Sequence, residues 1–395
     1  MVTLHTDEVR RALATYLGCS TSQIALSWKG RVGFYGLLKS LGVGPSDEVI
    51  LPAYTCVVVP NAVFYVGATP VYVDIDPLTY TLDPRLLEER ISPRTRVIVA
   101  QNSYGLSADN DAILAVARKH GIKVIEDCTH GFGGRYKGRL NGTGVDAAFF
   151  SSQWNKVFST GLGGFVVSND QRLASAMAAF EEELSEPTRR DRWSLATQLT
   201  LRDRLGYSTS YWAALKLYRT LSSSNLILGS SSKEELRRTA MPPGYLKGFS
   251  PVQAKRALSA LDRIDANLSH RACVAARYDE LLITLGIAPP YRPDYATHMF
   301  TMYPLLVRNR ATFLDRAERA GVPVHDWFRS PLHPIEEDLE PWGLETSQYP
   351  VATQLSKHVV NLLTDLRVNP RIEARIQEFV KAQRQELLEP SAVLN

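Results

Sequence analysis

Residues Val124–Val167 read VIEDCTHGFGGRYKGRLNGTGVDAAFFSSQWNKVFSTGLGGFVV. Val124 and Ile125 end a short apolar run, the mark of a buried strand, and the acidic pair Glu126-Asp127 follows at once. A second apolar run, Val145 to Phe150, leads into Ser151-Ser152. A loop then brings Lys156 up to a glycine cluster and a third strand, Gly164 to Val167. In open α/β sheets, ligands collect beyond the carboxyl ends of the strands. A carboxylate, a hydroxyl and an amine at such ends are placed to meet on one ligand. Pyridoxal 5′-phosphate (PLP) requires that set: a lysine for a Schiff base, an acid for the pyridine nitrogen, and hydroxyl and backbone N–H groups for the phosphate.

Upstream, the same alternation continues. Ile24 to Ser27, Glu48 to Leu51, Pro70 to Ile75 and Val97 to Ala100 read as short strands. Thr6 to Leu17, Val58 to Tyr65, Asp83 to Ile91 and Asn110 to His120 read as helices. Wholly apolar strands separated by helices of this length predict βαβ units around a mainly parallel sheet buried on both faces. Between the first strand and a helix running to about Leu41 lies Trp28-Lys29-Gly30-Arg31-Val32-Gly33. A glycine-bearing turn at a helix N-terminus offers unpaired N–H groups to an anion.

Downstream of Asp170 helices dominate. Gln171 to Leu184 is one, and Pro251 to Leu268 and Ser269 to Leu285 are two more. Residues 188–229 are polar and aromatic without a clear period. Their Trp193, Tyr207, Tyr211, Trp212 and Tyr218 read as core or interface side chains in preference to a substrate wall. A strand Met299 to Val307, a helix Arg310 to Ala320 and a last helix Arg371 to Gln385 fit a smaller α+β unit, with frayed residues at the end. The expected organisation is an α/β large domain over residues 1–247, irregular from 188 to 247, and a small C-terminal α+β domain over 248–395.

Composition excludes several function classes. With 395 residues, 45% hydrophobic and 22% charged, the chain reads as an ordinary globular protein with room for two domains. The net charge of +4 is small and the basic residues are scattered, so nucleic acid is not an expected partner. The densest basic spot, Thr188-Arg189-Arg190-Asp191-Arg192, is interrupted by acid and reads as a solvated face. Cys19, Cys56, Cys128 and Cys273 are widely spaced, which argues against a zinc site or a disulfide scaffold and fits a reducing cytoplasm. The N-terminal residues lack a signal-peptide core, and no run approaches the ~20 apolar residues of a membrane span. No GxGxxG follows a first strand, so a dinucleotide-binding dehydrogenase is excluded.

Three segments together, Glu126-Asp127-Cys128-Thr129-His130, then Ser151 to Lys156 (SSQWNK), then Thr160 to Val167 (TGLGGFVV), resemble the DegT/DnrJ/EryC1/StrS family. Its pattern is roughly ED-A-A-[QH], S-F-x-x-x-K and G-x-GG. The likeness extends upstream through Gly42 to Pro52 and Gly67 to Asp76. The family comprises PLP-dependent aminotransferases of fold type I, aspartate aminotransferase-like, that act mainly on keto sugars. The resemblance implies that Lys156 holds the cofactor as a Schiff base and, when freed, serves as general base and acid. It makes Asp127 the partner of the ring nitrogen, His130 the neighbour of the ring or its O3′, and Ser151 a phosphate ligand.

Counting back from Gly44-Pro45-Ser46-Asp47 places Lys29-Gly30-Arg31 on the family's Ser-Gly-Thr phosphate turn. Arg31 then holds phosphate either by its guanidinium or by its N–H alone; the plain alternative is that Gly30 only starts a helix and Arg31 faces solvent. Cys56 fills the slot of a ring-stacking aromatic, with Tyr54 two residues away, and the stacking residue stays open. The family's Asn-x-Arg, which reaches the partner's cofactor phosphate, is absent where Tyr245-Leu246-Lys247-Gly248-Phe249 stands. Lys247 is either its substitute or an ordinary loop lysine. Pro331-Leu332-His333-Pro334 resembles the family's Pro-Leu-His near the substrate mouth.

The implied activity is ping-pong amino transfer from an amino acid, glutamate foremost, to a keto group on a nucleotide-linked deoxysugar. A cyclitol or another small keto compound is the alternative acceptor. The resemblance also implies a homodimer with the active site at the subunit interface. Related dehydratases replace the lysine by histidine, and Lys156 speaks against that activity.

Overall fold

The computed structural model describes residues 2–205, 212, 213, 216, 218, 220 and 227–394. Its centre is a seven-stranded sheet made of β1 (Ile24–Ser27), β2 (Glu48–Pro52), β3 (Thr69–Val73), β4 (Thr95–Gln101), β5 (Lys123–Asp127), β6 (Ala147–Ser151) and β7 (Gly164–Ser168). The order across the sheet is β1-β7-β6-β5-β4-β2-β3. Only β7 runs against the others, antiparallel to both β6 and β1.

Strand alternation divides the core between the two faces. Phe149 stacks on Phe34 of α2 (Gly30–Ser40), with ring centroids 4.5 Å apart. Its neighbour Phe150 points the other way and stacks on Phe165 at 4.3 Å. The first face also takes α3 (Val58–Tyr65) and α5 (Gln171–Glu182). The second is covered by α1 (Val2–Leu17), α4 (Asn110–His120) and α7 (Pro251–Leu261). Between them in sequence, α6 (Arg189–Leu205) buries Leu195 and Leu199 against Trp28, Trp154 and Leu162. In the aromatic stretch, expected as core or interface, Trp212 packs partly buried against the first core with its indole N–H donating to Val322 O at 3.0 Å, whereas Trp193 is 73% exposed and outside the core. Tyr207 and Tyr211 lie outside the described residues.

After the long helix α8 (Ile264–Thr284) the chain builds a four-stranded antiparallel sheet from β8 (Tyr303–Val307), β9 (Val324–His325), β10 (Val359–Leu362) and β11 (Leu387–Leu388), in the order β9-β10-β8-β11. It is backed by α9 (Arg310–Arg319), α10 (Pro350–His358) and α11 (Pro370–Ala382).

Four expected elements come out differently. Asp83 to Ile91 forms two 3₁₀ turns instead of a helix, because the Asp83 carboxylate accepts from the backbone N–H and side chain of Arg85 and holds a tight turn. Met299 to Met302 stays out of β8: Phe300 sits at φ 41°, and the Thr301 hydroxyl donates to His130 O at 2.6 Å, so the segment turns toward the sheet's end. The two long helices divide at Asp262-Arg263, where Arg263 leaves helical geometry. The last residues are not frayed, since Leu387–Leu388 pairs with β8 and Pro390–Leu394 is helical with Val393 buried.

One packing detail positions everything at the sheet's carboxyl end. A Cβ at Gly164 would overlap the Cα and N of Gly30, and one at Gly30 would lie 2.7 Å from Phe150 O. Backbone therefore rests on backbone where α2 begins. Gly164→Ala is expected to destabilise the fold by about 1–3 kcal/mol, read as a lowered urea midpoint; an unchanged midpoint would show that α2 is free to move away.

Candidate active site

The site lies beyond the carboxyl ends of β4, β5 and β6. Alternation along β5 sends its two acids to opposite faces. Glu126 is buried away from the site, accepting from Asn102 Nδ2 and Gly142 N–H, each at 2.7 Å. Asp127 faces a cavity of about 190 Å³ whose wall includes Gly30, Arg31, His130, Ser151 and Lys156. All six residues expected to hold or work on a cofactor therefore meet on one cavity.

Lys156 is carried by a turn in which its N–H donates to Gln153 O at 2.9 Å. Two helices pin that turn. Arg202 of α6 donates to Asn155 Oδ1 at 2.8 Å and stands over the Trp154 ring, while Asn267 of α8 donates to Val157 O at 2.7 Å. Burial lowers the Lys156 ammonium to about 8; Asp127 and Cys56 oppose that shift, and Arg31 adds to it. Burial likewise raises the Asp127 carboxyl, against the pull of the Thr129 N–H, which donates to it at 2.8 Å, and of Lys156. An acid and an amine are thus both pushed toward neutrality by the same dry cavity and restrained by each other.

His130 accepts from the backbone N–H of Tyr104 through Nδ1 at 3.2 Å. Burial, then Lys156 and His333, hold its pKa well below the usual histidine range. The ring is therefore neutral with its proton on Nε2. It stacks on Trp327 (centroids 5.2 Å, interplanar 5°) and on Phe328 (5.6 Å, 14°). Tyr104, at φ 55°, organises both partners: its hydroxyl donates to Trp327 O at 2.8 Å and accepts from Phe328 N–H at 3.0 Å. The Lys156 Nζ sits 4.7 Å from the Trp327 ring centroid.

Ser151 ends β6 on the cavity wall beside the start of α2. Lys29 caps that helix without a side-chain bond, so no cap side chain takes up the first backbone N–H groups, and Gly30 and Arg31 of that first turn line the cavity. Arg31 does not face solvent. Its guanidinium donates to Glu235 and to Ser230 O (2.8 Å), leaving its backbone N–H as the group in the helix's first turn. Burial resists ionisation of Glu235, yet Arg31 and then Lys29 outweigh it and hold the carboxyl down at about 2. Lys247 is occupied elsewhere, 2.7 Å from Asp191. Cys56 and His333 both line the cavity, brought together because Leu332–His333 pairs in parallel with Thr55–Cys56. The sequence reading missed Glu235, Ser230, Ser231, Trp327 and Phe328. The serine runs signalled a loop, and nothing local marked Glu235 as the partner of Arg31.

This donor set fits PLP. A buried amine and a buried acid share the cavity with a hydroxyl and the start of a helix, which Gly30 lets pack directly against the end of β6. The profile of the DegT/DnrJ/EryC1/StrS aminotransferase family matches residues 4–380, and the chain belongs to that family. It is an aminotransferase of the PLP-dependent kind with a fold type I architecture. Among its relatives, GDP-perosamine synthase of Caulobacter vibrioides is 32% identical over 298 residues, 75% of this chain and 67% of that protein. L-glutamine:scyllo-inosose aminotransferase of Streptomyces griseus is 44% identical over 137 residues, 35% of this chain and 32% of that one. The crystal structure of the aminotransferase TlmJ from Streptoalloteichus hindustanus shares the fold, with a TM-score of 0.75 and 23% identity over 96% of this chain and 90% of its own.

The lowered Lys156 pKa is measurable without a ligand. Its amine is half deprotonated at about pH 8, so it is nucleophilic well below the pH at which an exposed lysine becomes so. Competitive acetylation followed by mass spectrometry should give a midpoint near 8 for Lys156; a midpoint at the ordinary lysine value would contradict the buried geometry.

Proposed function

We propose that this chain moves an amino group from an amino-acid donor, glutamate, to a keto carbon of a nucleotide-linked deoxysugar, with PLP seated in the cavity of Lys156 and Asp127. The meeting of those two buried groups with the start of α2 is the observation that carries the reading. The sugar-nucleotide acceptor is supported by the likeness to GDP-perosamine synthase. When bound, PLP supplies an electron sink for negative charge at the substrate carbon.

The chain's own residues do the rest. Lys156 anchors the cofactor and, once displaced, takes a proton from the substrate carbon and returns one; an amine near 8 is suited to both directions close to neutral pH. Asp127 holds the ring nitrogen's proton from the end of a rigid strand. His130 offers Nε2–H while the Tyr104 N–H fixes its tautomer. Ser151 and the N–H groups of Gly30 and Arg31 bind the phosphate. Trp327 and Phe328 cover the cavity and exclude water. We place the enzyme in a reducing cytoplasm, supported by four free cysteines, and as a homodimer whose interface borders the site. Among the described residues, no helix is long and apolar enough to cross a membrane. A second reading, a cyclitol ketone as acceptor, is favoured by the 44% identity to the scyllo-inosose enzyme across 137 residues.

The test is the visible spectrum of the purified protein with PLP. Wild type should develop a cofactor band that bleaches with excess glutamate, and Lys156→Ala should lack it. Folded wild-type protein that develops no band would overturn the reading. A panel of keto sugar nucleotides and inososes then decides the acceptor.

A further inference from the structure

At the start of α2 the described residues place three cations, Lys29, Arg31 and Lys247, among two carboxylates, Glu235 and Asp191. The pairing leaves one cation over. Arg31 takes Glu235, whose other oxygen accepts from Ser232 N–H at 2.8 Å. Lys247 takes Asp191 at 2.7 Å. Lys29 stands 3.9 Å from Glu235 and donates to a neutral carbonyl, Ser230 O, at 3.3 Å. The cluster thus carries one net positive charge. The Lys29 side chain is only 19% exposed and lines the same cavity as Ser151 and Lys156. A cation held out of water without a carboxylate of its own favours the arrival of an anion.

Resting on the PLP reading above, we propose that Lys29 supplies the counter-charge for the cofactor phosphate from within the same subunit. It would do so where the Asn-x-Arg of a partner subunit is missing. The two other cations are engaged: the Arg31 guanidinium is clamped by Glu235 and Ser230, and Lys247 by Asp191. Lys29 caps the helix whose first turn lines the cavity, so its ammonium and that turn converge on one side. A compact ammonium suits a phosphate as a point charge. Burial lowers the Lys29 ammonium to about 8, against the pull of Glu235 and, more weakly, Asp191, with Arg31 and Lys247 adding to the shift. A bound dianion reverses that balance.

The experiment compares PLP with pyridoxal, which has the same aldehyde and ring but no phosphate, on apo wild type, Lys29→Met, Lys29→Arg and Lys247→Ala. The ratio of the two affinities isolates the phosphate. Lys29→Met should reduce the preference for PLP roughly ten- to a hundredfold, leaving pyridoxal binding in place. Lys29→Arg should restore most of it, and Lys247→Ala, which removes a charge already paired with Asp191, should lower it by less than Lys29→Met does. A second arm does not depend on the methionine variant: inorganic phosphate binding to wild type should weaken as pH rises through about 8, where Lys29 loses its proton. Lys29→Arg, which stays charged, should weaken less over that range and keep only the part contributed by Lys156, which titrates near the same pH in the same cavity. A preserved PLP preference in Lys29→Met, a loss in Lys247→Ala as large as in Lys29→Met, or identical phosphate pH profiles in wild type and Lys29→Arg would overturn the proposal. Wild type that binds neither PLP nor pyridoxal would overturn the cofactor reading itself, and this inference with it.

Discussion

The active site depends on backbone lying against backbone where Gly30 meets Gly164. Neither position has room for a Cβ, and that lets the first turn of α2 sit directly over the ends of β6 and β7. The Ser27 hydroxyl, donating to Lys29 O at 2.9 Å, ties the same turn to the end of β1. Three consequences follow from this contact. The first turn of the helix lines the cavity, Ser151 is brought beside it, and Lys29 and Arg31 are carried to the cavity wall. A site for a phosphate-bearing ligand is therefore a by-product of how closely one helix packs on one sheet.

Charge is managed differently at the two ends of the cavity. At the Lys156–Asp127 end the protein leaves an amine and an acid dry, each moved toward its neutral form and each restraining the other. That is costly unless a ligand inserts between them, and it suits groups that must exchange protons. At the far end it spends carboxylates, with Glu235 on Arg31 and Asp191 on Lys247, to build a rigid positive cluster. One end is tuned for proton transfer and the other for holding charge still.

How much of this could be read from sequence follows from how local each signal is. The strands announced themselves as short apolar runs between helices, and Asp127, Ser151 and Lys156 stand at or just past strand ends within thirty residues of one another. Glu235 left no such trace. Its meaning depends on Arg31, 204 positions earlier, and its own surroundings read only as a serine-rich loop. Trp327 and Phe328 were invisible for the same reason: they reach the site through Tyr104, more than 220 positions away in sequence. Asp83 to Ile91 misled because its helical composition is overruled by one side-chain bond that tightens the turn.

The cover of the cavity is what an acceptor ring would meet first. The cofactor end is built from residues that any substrate of this chemistry would need. Segment 327–334, by contrast, is held by strand pairing of Leu332–His333 to Thr55–Cys56 and by the Tyr104 hydroxyl, so it is a structured wall and not a loose flap. It presents an indole, a phenyl ring and an imidazole to whatever enters. A sugar ring or a cyclitol ring must fit between those planes and Lys156, and both offer a flat apolar face with polar edges. What separates them is the nucleotide, which a cyclitol lacks. The wall of segment 327–334 and the buried pair behind it are therefore equally suited to either ring.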